Sequence, residues 1–127
     1  MGIRALIVDD SAVMRSMIIS TLRRSAVPLV TVHQAGDGEE ALEVLSLEEI
    51  DLVLIDLDMP RTDGAALYDA IRVNAAWGHM ACVLVSSDAS ATHDERWNDA
   101  GAAFVLKPFT PEGVRSAVLK SMRVPRS

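Results

Sequence analysis

The sequence predicts an α/β fold: one doubly wound, five-stranded parallel sheet in the order 2-1-3-4-5, flanked by five helices. Three observations lead there. Apolar runs of strand length alternate with segments of helical period, the pattern of repeated βαβ units. The run Leu-Val-Leu-Ile at Leu52 to Ile55 has no polar position, as suits a strand covered on both faces. Four of the five runs also end in a polar residue of a different kind: Asp9-Asp10, Asp56, Ser86 and Lys107. The strand order itself follows from the fold type and not from the residues.

The first strand is Ile3 to Val8. A helix follows, with Ser11 as its N-cap and Val13, Met14, Met17, Ile18, Thr21 and Leu22 on one face, which puts both methionines in the core. Pro28 lies just past its end, and the second strand covers about 29–34. Asp37-Gly38 is a turn signal, and Glu39 to Leu47 reads as a short helix with acids near its N-terminus. Leu52 to Asp56 is the third strand. A loop broken by Pro60 and Asp63-Gly64 leads to a third helix ending near Ala76. The fourth strand is about 80–86, and a helix over roughly 91–100 stops at Gly101. The fifth strand is about 102–106. Thr110 caps the last helix, with Pro111 at its first position, and that helix reaches about Met122. The tail from Arg123 to Ser127 is expected to fray. No linker or low-complexity stretch intervenes, so residues 1–127 read as one domain with its core over about 3–122.

Composition narrows the function. A chain of 127 residues can bury a core without disulfides or a structural metal. Its net charge of −6 argues against direct nucleic-acid binding, which draws on a basic patch. No apolar run is long enough to span a membrane, and the first one is too short for a signal peptide. The single cysteine, Cys82, lies within an apolar run and reads as a buried structural thiol, and the expected compartment is the reducing cytoplasm.

The polar strand ends carry the chemistry. In the predicted order they lie on four adjacent strands, at the carboxyl edge where such sheets bind ligands. Packed carboxylates repel one another, so their pKa values rise or a cation sits among them. Oxygen donors without a nearby His or Cys favour Mg²⁺ or Mn²⁺ over zinc. His33, His79 and His93 have no ligand spacing, and Asp51, Asp63 and Asp69 read as turn or surface acids.

Val8-Asp9-Asp10-Ser11, Leu54-Ile55-Asp56-Leu57-Asp58-Met59-Pro60, Asp63-Gly64, Val85-Ser86-Ser87 and Lys107-Pro108-Phe109 together resemble the receiver family of two-component response regulators. Any one of these elements is weak evidence. All of them, in order across nearly the whole chain, are highly specific. The opening Val-Asp-Asp-Ser-Ala-Val-Met-Arg most resembles stand-alone, chemotaxis-type (CheY-like) receivers. The resemblance implies a flavodoxin- and CheY-like fold and roles at individual positions. Asp56 is the phosphorylated aspartate. Asp10 is a direct ligand of Mg²⁺ (Mn²⁺ being possible), and Asp9 orients a metal-bound water. Asp56 and the backbone carbonyl of Asp58 complete the protein's share of the metal site. Ser86 is the switch hydroxyl, Lys107 pairs with phosphoryl oxygen, and Phe104 is the aromatic rotamer switch. The implied donor is a sensor histidine kinase, a phosphotransfer protein or a small acyl phosphate. The implied output is contact with a downstream protein, by a monomer or a weak phosphorylation-dependent dimer. Such a chain is not a conventional enzyme; it catalyses its own phosphorylation and slow dephosphorylation.

Several positions depart from the family pattern. The segment from Gly101 to Lys107 is one residue short of the usual form, and Phe104 stands where Tyr is common. Leu57 replaces a Trp after the acceptor, so little tryptophan quenching by Mg²⁺ is expected. Asp58 and Asp88 flank the approach to Asp56, and the effect of their side chains on hydrolysis is left open. Asp56-Leu57-Asp58 also resembles the Asp-x-Asp signature of haloacid-dehalogenase-type phosphatases, but Pro60 breaks that pattern and no cap domain fits. A non-phosphorylated pseudo-receiver scaffold would not need this charge cluster. A flavodoxin-type cofactor protein would not place Asp9-Asp10 where a flavin phosphate binds.

Overall fold

A computed structural model describes residues 2–90 and 102–123. The strands are β1 (Ile3–Val8), β2 (Leu29–Ala35), β3 (Leu52–Asp56), β4 (Ala81–Ser86) and β5 (Ala103–Leu106). They form one sheet in the order β2-β1-β3-β4-β5 with every pairing parallel, as the sequence predicts. The described α-helices are α1 (Ala12–Arg24), α2 (Gly38–Leu47), α3 (Gly64–Val73) and α4 (Pro111–Arg123). The helix expected over 91–100, its stop at Gly101, His93, Trp97 and the last four residues of the tail lie outside the described residues.

The period of two along each strand divides the core between the faces of the sheet. Leu6, Val8, Val53, Ile55, Cys82 and Leu84 point to one side, where Ala41 and Leu45 of α2 and Leu67, Tyr68 and Ile71 of α3 meet them. Ala5, Ile7, Leu52, Leu54, Val83 and Val85 point to the other, against Ile18 and Leu22 of α1 and Val114, Ala117 and Val118 of α4. Strands β3 and β4 are buried at every position, which is why their sequences lack a polar alternation. Each fully buried Leu or Ile contributes roughly 1.5–3 kcal/mol over its exposed state.

Helix ends follow the local chemistry. The side chains of Ser11, Asp37 and Asp63 accept hydrogen bonds from the N–H groups of Met14, Glu40 and Ala66 at the starts of α1, α2 and α3. Thr110 Oγ1 accepts from Gly113 N at 3.0 Å, with Pro111 opening α4. Two expectations need correction. Val13 and Met17 are 73% and 53% exposed, because the buried face of α1 is confined to Ile18, Thr21 and Leu22, with Met14 half-buried beside it. The third helix also ends at Val73 and not near Ala76. Asn74 leaves helical geometry at φ −90° and ψ 113°, and its side chain caps a separate 3-10 turn, Ala75–Trp77.

The opposite edge of the sheet is tied by Arg4. Its Nε and Nη2 each donate to Asp51 at 3.0 Å, and its backbone N donates to the same carboxylate at 2.9 Å. Asp51 is therefore a structural anchor. Trp77 lines a cavity beside this pair, away from the carboxyl ends of the strands.

Candidate functional site

The carboxyl ends of β1, β3, β4 and β5 bring Asp9, Asp56, Ser86 and Lys107 to one edge. Asp56 closes β3 and is 3% exposed. Its Oδ2 accepts from Lys107 Nζ at 2.7 Å, and its Oδ1 accepts from the Asp58 N–H at 2.7 Å. The missing residue before Lys107 does not carry the ammonium away: β5 pairs with β4 up to Leu106, and Lys107 N donates to Ser86 O at 2.9 Å. The Lys107–Pro108 peptide bond is cis. Gly64 lets the start of α3 pass close over this strand end; a Cβ there would lie 2.9 Å from Asp56 O.

Asp9 is buried beside Asp56. Its Oδ1 accepts from Ser11 N at 2.8 Å, while its Oδ2 is buried with no hydrogen-bond partner. Burial, and next the adjoining Asp56 carboxylate, raise the Asp9 pKa to about 7. Asp10 sits at the rim. Its Oδ2 accepts from the Arg61 N–H at 3.2 Å and faces the Arg61 Nε at 3.8 Å. Among the described residues no three Asp, Glu, His or Cys side chains are arranged to hold a cation unaided. The orphaned Asp9 oxygen beside the Asp56 carboxylate nevertheless fits a hard cation that completes its shell with carbonyl, water and phosphoryl oxygens.

Ser86 closes β4 and is 2% exposed. Its Oγ accepts from Asp88 N at 3.0 Å and donates to Asp58 Oδ1 at 3.2 Å. The Asp88 carboxylate turns away to accept from Ser90. Asp58 engages the site through its side chain as well. Its Oδ2 accepts from Ser87 N at 2.8 Å and lies 3.2 Å from Lys107 Nζ. Burial would raise the Asp58 pKa, but Ser87 and Lys107 outweigh it and hold it below the ordinary carboxylate range. Burial works against the charge on Lys107 too, yet Asp56 and Asp58 raise its pKa. Phe104 is half-buried on β5 and packs against the first core cluster.

Two participants escaped the sequence reading, the Ser87 N–H and Arg61; the Asp58 side chain was placed near Asp56, but its contacts with Ser86, Ser87 and Lys107 were not anticipated. Carrying the strand period one step past Asp56 places Asp58 on the same side, so that signal was available. Arg61 lies in an irregular loop, and nothing in its sequence context points to Asp10.

The comparisons with known proteins agree with this geometry. The family described as response regulator receiver domain matches residues 5–119. A probable chemotaxis protein CheY of Rhizobium etli is 31% identical over 117 residues, covering 91% of this chain and 89% of that protein. The transcriptional regulatory protein PdtaR of Mycobacterium tuberculosis is 37% identical over 108 residues; the match covers 84% of this chain and 50% of that protein, so the chain spans about half its length. Among solved structures, the chemotaxis response regulator CheY4 of Vibrio cholerae superposes with a TM-score of 0.78 at 25% identity, covering 95% of this chain and 99% of that one.

Proposed function

The chain belongs to the response regulator receiver domain family, and on that premise we propose that it accepts a phosphoryl group on Asp56 and signals through altered protein contacts. The observation that carries the reading is the 2.7 Å contact of Lys107 Nζ with a buried Asp56 carboxylate beside an unsatisfied Asp9 oxygen. In the proposed step an Asp56 oxygen attacks phosphorus. A new O–P bond forms, and the donor's N–P or O–P bond breaks with its electron pair leaving on the donor: an acyl phosphate leaves as its carboxylate, and a phosphohistidine nitrogen leaves as imidazole with a proton from solvent. A carboxylate is a weak nucleophile, so the protein's work is placement and charge cancellation. Lys107 offsets charge on the phosphoryl oxygens, and Ser86 supplies a hydroxyl donor. Asp9, Asp10, Asp56 and the Asp58 carbonyl would hold Mg²⁺, which supplies Lewis-acid neutralisation of that charge.

The donor in this reading is a sensor histidine kinase, a phosphotransfer protein or a small acyl phosphate. The output is a contact with a downstream protein, made at the surface around β5 and α4, and the setting is the cytoplasm. No described helix is long and apolar enough to cross a membrane. A turnover phosphatase would need Asp58 as a protonated general acid. Its contact with Lys107 and its lowered pKa favour the ionised form instead.

Intact-mass measurement after incubation with acetyl phosphate tests the proposal. One phosphoryl group should add to the parent in the presence of Mg²⁺, and none should add to Asp56→Asn. Labelling that ignores both the cation and that substitution contradicts it.

A further inference from the structure

The donors that the phosphoryl group needs are already in use. Asp58 takes Ser86 Oγ on one oxygen, at 3.2 Å. Its other oxygen takes Ser87 N at 2.8 Å and Lys107 Nζ at 3.2 Å. A hydroxyl, a backbone N–H and an ammonium, drawn from the ends of β4 and β5, thus converge on one carboxylate. Lys107 is shared, with Asp56 at 2.7 Å as its nearer partner. Such a donor set suits any compact oxyanion, and two carboxylate oxygens stand where two phosphoryl oxygens would find the same partners.

We propose that the Asp58 carboxylate is a built-in occupant of the phosphoryl pocket, which an incoming phosphoryl group must displace to reach Ser86, Ser87 and Lys107. The inference rests on Asp56 being the acceptor. Both groups are anionic and compete for the same donors, so they do not share the pocket without strong repulsion. The Asp58 side chain is 29% exposed and therefore has a way out toward solvent. Asp56 itself is 3% exposed and stays in place. Before phosphorylation, then, Ser86 is already drawn toward an anion, and phosphorylation exchanges one anion for another. Asp58 acts against the reaction by its charge, and its backbone carbonyl remains available for a separate role.

The test compares the parent with Asp58→Asn and Asp58→Ala, both of which keep the backbone carbonyl. Each is titrated with beryllium fluoride plus Mg²⁺, a non-covalent phosphoryl mimic, and labelled with acetyl phosphate. The Ser87 amide proton is followed by NMR before and after beryllium fluoride is added. Removing the charge should tighten beryllium fluoride binding and speed labelling by roughly tenfold or more in Asp58→Ala, with Asp58→Asn in between. The Ser87 amide should lose its hydrogen-bonded shift in Asp58→Ala and regain it when beryllium fluoride binds. A side chain that only orders the loop predicts the reverse, with slower labelling and weaker binding in both variants, and that result overturns the proposal. Unchanged affinity and rate in both variants, with the parent labelled on Asp56, also overturn it while leaving the acceptor assignment intact. A parent that takes no label on Asp56 removes the acceptor assignment and this inference together.

Discussion

At the scale of the residue, the central contact is Lys107 with Asp56. It is charge-assisted, has a donor–acceptor distance of 2.7 Å and is largely screened from water. Replacing Lys107 with Met should slow acetyl-phosphate labelling by roughly 10- to 100-fold, the rate equivalent of one charge-assisted hydrogen bond. Circular dichroism should remain that of the parent; a rate unchanged in a folded variant would deny Lys107 its role. The partners in this contact were legible because each ends an apolar strand, and parallel strands align their ends. Arg61 was not read, since its placement depends on loop conformation that no period governs; Asp58 was placed beside Asp56, but its contacts with Ser86, Ser87 and Lys107 were not.

At the scale of the element, two backbone positions make opposite predictions. Ala26 follows α1 with φ 65°, a left-handed position that usually takes glycine. Ala26→Gly should raise the unfolding free energy by up to about 1 kcal/mol, measured by urea titration. A destabilised variant would contradict the strain. Gly64 is the other case. Adding a methyl there meets Asp56 O at 2.9 Å and Ile55 Cγ2 at 3.2 Å. Gly64→Ala should cost roughly 1–3 kcal/mol and slow labelling of Asp56 as the strand end shifts. Element type and order were readable from strand-length runs and caps. The breadth of the buried face of α1 was not, because Met17 has the right spacing to join a wide face and the packed face is narrow. The end of α3 was missed because Asn74 competes for the backbone through its own side chain.

At the scale of the whole molecule, a core divided by the sheet supports a polar edge. Ile71 is fully buried between α3 and the sheet, and Ile71→Ala should cost roughly 2–5 kcal/mol by thermal or urea unfolding. At the far edge, the Arg4 guanidinium holds Asp51 below its ordinary pKa. Because the folded value is depressed, that stabilisation is complete above the unfolded pKa near about 4 and is lost as pH falls through the folded value. The melting temperature of the parent should therefore drop more steeply in acid than that of Asp51→Asn; parallel curves would contradict the pairing. The account depends most on the strand ends meeting around one nucleophile. Borohydride reduction of the acetyl-phosphate-treated protein, which converts an aspartyl phosphate to homoserine, followed by peptide sequencing by mass spectrometry, tests that directly. Homoserine should be found at position 56 alone; homoserine at another acid, with position 56 unmodified, would contradict the account.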